Sequence, residues 1–367
     1  MPQPLRREIG QLVFGSLPGP SVPSEFAALA REFGLGGVTL FARNIEEPAQ
    51  VAELAREIRG LVPGAPLWVA VDQEGGRVAR LRRPFTEWPP MAVLGRTGDP
   101  ALTARFAQAL AAELAAVGIT LDYAPVLDVH TNPANPIIGD RAFSHDADVV
   151  AARGVAVIDA LQRAGVAACG KHFPGHGDTS VDSHLALPVV EHAPDRIRRV
   201  ECVPFRAAIA AGVAFMMTAH VLVPSMDAHV PATLSRTIVD GLLRQELGYK
   251  GVILSDDLEM RALADQWPRG EAAVLSIAAG CDGVLLCRAL SDERHRDLDA
   301  HVEVLEALIH AVEDGRIPYA RFEDALRRQR HARHTFLPAE PPAPRAWRTV
   351  VGSETHQRVA DEMRQLA

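Results

Sequence analysis

Residues 164–184, AGVAACGKHFPGHGDTSVDSH, join a short apolar run to a loop crowded with titratable groups. Between Lys171 and His184 lie His172, His176, Asp178 and Asp182, while Pro174, Gly175 and Gly177 break any helical periodicity. The run from Ala164 to Cys169 therefore predicts a buried strand that ends in an irregular loop. Parallel α/β folds place their chemistry at such C-terminal strand mouths.

Similar apolar runs recur at Gln11–Phe14, Gly37–Phe41, Leu67–Val71, Ile119–Tyr123, Phe215–Thr218, Val252–Ser255 and Gly283–Cys287, which with Val166–Cys169 makes eight candidate strands. Amphipathic segments separate them. Asp99-Pro100 opens a helix that stops at Gly118, Asp146 opens one that stops at Gly165, and further helices are expected over Pro194–Ala211 and Ser235–Leu247. Alternation without hairpin signals implies a parallel sheet, and eight units favour an α/β fold closed as a single-domain (β/α)8 TIM barrel. No GxGxxG follows the first strand; Gly34-Leu35-Gly36-Gly37 comes nearest and reads as a tight turn. After the eighth strand, helices are expected over Leu298–Asp314 and onward through His334. The barrel is thus assigned to residues 1–336, and residues 337–367 to a short C-terminal extension: a stiff linker with four prolines, then a strap or helix lying on the barrel.

The chain has 367 residues, 48% hydrophobic and 23% charged, with a net charge of -8 and no long basic run, which argues against a nucleic-acid partner. Cys169, Cys202, Cys281 and Cys287 form no CxxC pair and are expected to be free thiols. No apolar leader follows Arg6 and Arg7, and no stretch is apolar enough to span a membrane, so a cytoplasmic location with no membrane partner is expected. A monomer is compatible with the sequence.

In a parallel barrel the polar residues that follow each strand meet at one rim. The third strand delivers Asp72, Gln73, Glu74, Arg77 and Arg80; the fourth delivers Asp122, Asp128, Asp140 and Arg141; the sixth His220; the seventh Asp256 and Asp257. Strand alternation would turn only one of Asp256 and Asp257 to the pocket, leaving its neighbour as a helix cap. Two chemistries compete for such a set. One is a metal-dependent hydrolase using His172, His176 and His184, with His220 as a further ligand, although Pro174-Gly175 denies the first pair the helical i,i+4 geometry that suits zinc. The other is attack on a sugar by a carboxylate while a second titratable group protonates the leaving oxygen.

KHFPGHGDTSVDSH, with VDQEGGRVAR, GDRAF and GVILSDDLEM, closely resembles family 3 glycoside hydrolases of the bacterial β-N-acetylglucosaminidase type, over about residues 5–335. The resemblance implies that Asp256 is the nucleophile of a retaining mechanism and His184 the general acid/base, tuned by Asp182. It implies sugar-binding roles for Asp72, Arg80, Arg141, Lys171 and His172. His176 is expected to brace the loop and Arg77 to be structural. The implied reaction releases terminal N-acetylglucosamine from peptidoglycan fragments carrying 1,6-anhydro-N-acetylmuramic acid, with or without peptide, and needs no metal or other cofactor. Related β-glucosidases add a second domain that supplies their acid/base; this chain has no room for one. A β-glucosidase, a phosphorylase, or a silent sugar-binding barrel are the competing readings.

Overall fold

The computed structural model describes residues 3–180, 187–287 and 298–367. Among them eight parallel strands close into a barrel: β1 (Val13–Ser16), β2 (Gly37–Leu40), β3 (Trp68–Val71), β6 (Leu121–Asp122), β7 (Ala167–Phe173), β8 (Phe215–Thr218), β9 (Val252–Asp257) and β10 (Gly283–Leu285), the ring sealed where β1 pairs with β10 through Val13 and Val284. The two remaining strands, β4 (Gln73–Gly75) and β5 (Val78–Ala79), form an antiparallel hairpin above the rim. It went unforeseen because its strands are two or three residues long and its turn, Gly76-Arg77, is no Asn-Gly or Asp-Gly signal.

The remaining departures are local. The first strand starts at Val13 because Gly10–Leu12 coils into a 3-10 turn that presses Gly10 against the carbonyl of Phe33. Strand β7 runs on to Phe173, so Lys171 and His172 belong to the strand and the loop begins at Pro174. The expected helix over Pro194–Ala211 is two, Pro194–Arg199 and Cys202–Ala210, parted at Val200-Glu201. The segment after Ser235 is a wide, π-type helix over Thr237–Glu246.

Capping follows the sequence closely. The Asp99 side chain accepts from the Ala101 amide at 2.8 Å, with Pro100 in the first turn, and Asp146 accepts from the Asp148 amide at 2.9 Å. Inside the ring, Phe14, Trp68, Leu121, Phe215 and Leu254 fill the lumen, with Trp68 and Phe215 edge to face at 5.1 Å, so the barrel is packed and its cavity lies at the C-terminal mouth. A second core, between strands and helices, takes the other strand face. All four cysteines are buried and unpaired. Residues after Leu337 cross the barrel wall and end in the helix Glu354–Gln365, whose Val359, Ala360 and Met363 are buried. No described helix is long and apolar enough to cross a membrane.

Candidate active site

One cavity at the barrel mouth is lined by Asp72, Arg80, Arg141, Lys171, His172, Asp256 and Asp257, closed on other sides by Phe41, Val78, Tyr123, Ile137, Met217, Met260 and Leu285. Thus Asp72, Arg80, Arg141, Lys171, His172 and Asp256 stand together. His184 and Asp182 lie outside the described residues.

The charged wall is a row of alternating signs. Arg80 Nη2 donates to Asp72 Oδ2 at 3.1 Å, and Lys171 Nζ reaches Asp72 Oδ1 at 2.7 Å and Glu74 Oε1 at 2.6 Å. Arg141 grips Glu74 with two parallel bonds of 2.8 and 2.9 Å. Its Nη2 lies 3.5 Å from His172 Nε2, and His172 Nδ1 is 2.7 Å from Asp128 Oδ2. Arginine only donates, so Nε2 supplies the lone pair and Nδ1 carries the proton towards the carboxylate.

The electrostatics follow from this pairing. Burial works against ionising Asp72, yet Lys171 and Arg80 hold its carboxyl well below the ordinary range. Burial likewise opposes Glu74, which Arg141 and Lys171 nonetheless bring down to about 2. In return the two carboxylates overcome burial and keep the Lys171 ammonium above its usual value. Asp128, fully buried, is held below its ordinary value by His172 and by the amide of His176, which donates to it. Glu74 and Asp128 went unnamed as site residues. Glu74 was visible as an acid shortly before two arginines in DQEGGRVAR; Asp128 had no signal beyond following the fourth strand.

Strand β7 brings Lys171 and His172 to the same cavity although neighbours on a strand alternate faces. Its register against β8 shifts between Gly170 and Phe173. Strand β9 is irregular too: its register against β10 shifts, and both Asp256 and Asp257 reach the cavity, contrary to the expectation that only one would. Their environments differ. Asp257 Oδ1 accepts from the amides of Cys287 at 3.0 Å and Glu259 at 3.1 Å, which holds it against the end of β10, and burial raises its carboxyl to about 7. Asp256 is partly open to the cavity and turns one oxygen to the Asp257 amide at 2.8 Å.

The other histidines serve the backbone. Nδ1 of His176 meets Thr179 Oγ1 at 2.6 Å, and burial pushes its imidazole down to about 4. His220 Nε2 meets the Asp257 carbonyl at 2.9 Å and its Nδ1 the Thr233 hydroxyl at 2.8 Å, tying β8 to β9. Arg77 ties the hairpin turn to the Ile137 carbonyl and stands 3.8 Å from Asp140. Among the described residues no group of three or more acids, histidines or cysteines is disposed to hold a metal ion.

The chain matches the glycosyl hydrolase family 3 N terminal domain over residues 4–331. It is 44% identical over 273 residues to a β-hexosaminidase of Thiobacillus denitrificans, covering 72% of this chain and 75% of that one. Its structure resembles a family 3 β-N-acetylglucosaminidase from Paenibacillus sp. str. FPU-7, with a TM-score of 0.90, 38% identity, and 99% of this chain and 68% of that chain covered. NagZ from Neisseria gonorrhoeae, solved in complex with N-trifluoroacetyl-D-glucosamine, aligns with a TM-score of 0.78 and 32% identity over 97% of both chains. A closed barrel with its acids, arginines and lysine gathered at one mouth, and a family match over most of its length, make this chain a member of glycosyl hydrolase family 3.

Proposed function

We propose that the chain is a retaining exo-β-N-acetylglucosaminidase that removes terminal N-acetylglucosamine from peptidoglycan fragments carrying 1,6-anhydro-N-acetylmuramic acid, with or without a peptide stem. The observation that carries the reading is the placing of the Asp256 carboxylate in the same cavity as the Asp72–Lys171–Arg80 and Glu74–Arg141–His172 groups. The relatives support it: one is named a β-hexosaminidase, and another was solved with an N-acylated glucosamine. Free, buried cysteines are in keeping with a reducing cytoplasm.

In this mechanism Asp72 and Lys171 hold neighbouring hydroxyls of the terminal sugar, one accepting and one donating, while Arg80, Arg141 and His172 fix its orientation. An Asp256 oxygen attacks the anomeric carbon as the bond to the leaving oxygen breaks, and His184, steadied by Asp182, gives that oxygen a proton. Water then attacks the same carbon, yields a proton to His184, and frees Asp256 as the carboxylate. Two inversions leave the configuration unchanged. Asp257 is held by backbone amides and supports the strand end that carries Asp256.

Asp256→Ala should abolish turnover of an aryl N-acetyl-β-glucosaminide with the fold intact, and proton NMR of the first sugar released by the unaltered enzyme should show the β anomer. An α anomer would exclude a glycosyl-enzyme, and an active Asp256→Ala would exclude this nucleophile. Release of N-acetylglucosamine from anhydromuropeptides tests the substrate.

A further inference from the structure

The residues after Leu337 lie beyond the family match, which ends at residue 331. They are fastened to the barrel at a buried carboxylate far from the chemistry. Glu113, 3% exposed on the helix Pro100–Ala116, accepts hydrogen bonds from both sides of a seam. From the tail come the Gly352 amide at 2.9 Å and His356 Nδ1 at 2.8 Å. From the segment below the rim come the Thr86 amide at 3.0 Å and the Thr86 hydroxyl at 2.6 Å. Gly352, at φ +62°, sits so close that a β-carbon there would stand 2.2 Å from the Pro84 carbonyl oxygen. Arg364, near the end of the last helix, donates to the Glu87 carbonyl at 2.7 Å.

The segment so gripped leads to the site. Trp88 accepts the Gly76 amide at 2.8 Å, and Gly75 and Gly76 lie flat on Met91 and Pro90, with no space for a β-carbon at either. Those glycines end β4 and open the turn of the β4–β5 hairpin, whose strands carry Glu74 on one side and lead into Arg80 on the other. Gln73 locks the far end, its Oε1 accepting the amides of Arg80 at 2.8 Å and Leu81 at 3.0 Å.

We infer that Glu113 and the tail residues Gly352 and His356 are positioning residues: through Thr86 and Trp88 they set the height and angle of the hairpin that brings Arg80 to the sugar and Glu74 to Arg141 and Lys171. The inference rests on the sugar-binding role proposed for Arg80. The strap clamps the helix through Glu113 and Arg105 and also holds the segment that supports the hairpin turn, at Pro84 and Glu87.

The test is kinetic, on the full chain with an aryl N-acetyl-β-glucosaminide, alongside thermal melting. Glu113→Gln keeps volume but replaces an accepting oxygen with a donor, His356→Ala removes one tail bond, and Gly352→Ala forces the tail off Pro84. Each should raise KM about two- to tenfold, the scale of one ordinary hydrogen bond, with kcat within about twofold. Arg105→Ala, which breaks the exposed pair between Arg105 of that helix and Glu362 of the tail helix but leaves the Glu113–Thr86 seam intact, should leave KM unchanged. In an Arg80→Ala background Glu113→Gln should cost little more. A lowered melting temperature with unchanged KM in both Glu113→Gln and His356→Ala would overturn the inference, as would full additivity with Arg80→Ala. Should Glu113→Gln fail to fold, His356→Ala, whose site is partly open, decides. An Arg80→Ala variant with unaltered KM would instead sink the proposed role of Arg80 itself.

Discussion

Asp257→Asn is the substitution whose consequence is most fully determined by its surroundings. Burial lifts this carboxyl from 3.8 in the unfolded chain to about 7 in the fold. A raised folded value means that the group's contribution is intact below the unfolded value and is lost as pH rises through the folded one. Asparagine keeps an oxygen to accept the Cys287 and Glu259 amides and never ionises, so it imitates the protonated acid at every pH. The difference of about 3 units, at about 1.4 kcal/mol each, makes the variant gain up to about 4 kcal/mol on the unaltered protein by alkaline pH, a little over half of it between about pH 5 and pH 8. Urea unfolding midpoints of both proteins at the two pH values measure this, because titrations common to both cancel in the difference. A stability difference independent of pH, or a variant that becomes relatively weaker at pH 8, would refute the reasoning and show Asp257 ionised and stabilised in place. The variant should also keep its turnover, which Asp256→Ala should not.

Lys171→Met should destabilise the fold by about 3–5 kcal/mol, measured by denaturant unfolding, because it strands Asp72 and Glu74 against each other in a nearly dry site; adding Glu74→Gln should recover part of the loss. In His184→Ala a dinitrophenyl glycoside should still glycosylate the enzyme rapidly, while an unactivated leaving group loses about 10²–10⁴-fold, with covalent intermediate accumulating and visible by mass spectrometry. Equal losses for the two leaving groups would move the acid/base elsewhere, with Asp178 and His176 next to be examined.

The barrel was legible because each of its strands is a short apolar run bounded by glycine, proline or a charged turn, and such runs report burial on both faces. What escaped was everything set by a neighbour. Lys171 and His172 read as loop because they are polar, yet β7 carries them onward since Asp72, Glu74 and Asp128 wait to neutralise or orient them. Asp256 and Asp257 read as facing opposite ways because alternation is a property of regular strands, and the shifted register between β9 and β10 is no property of either strand's own residues. Glu74 and Asp128 are ordinary acids in the chain; only the fold makes them partners.

The seam of the barrel has a consequence for folding. The β1–β10 pairing joins the first strand of the barrel to the last, and around it the Cys287 carbonyl accepts from Ser16 Oγ at 2.9 Å and Arg43 Nη2 at 3.0 Å while Cys287 itself lines the cavity. Contacts so distant in sequence carry a large loop-closure cost and belong to the slow part of folding. Half a barrel can hold helices and a curved sheet, but it has no cavity wall from β10 and no complete surround for Asp256. During refolding, the return of catalysis therefore times the sealing of the ring, which a spectroscopic probe of helix content would register too early.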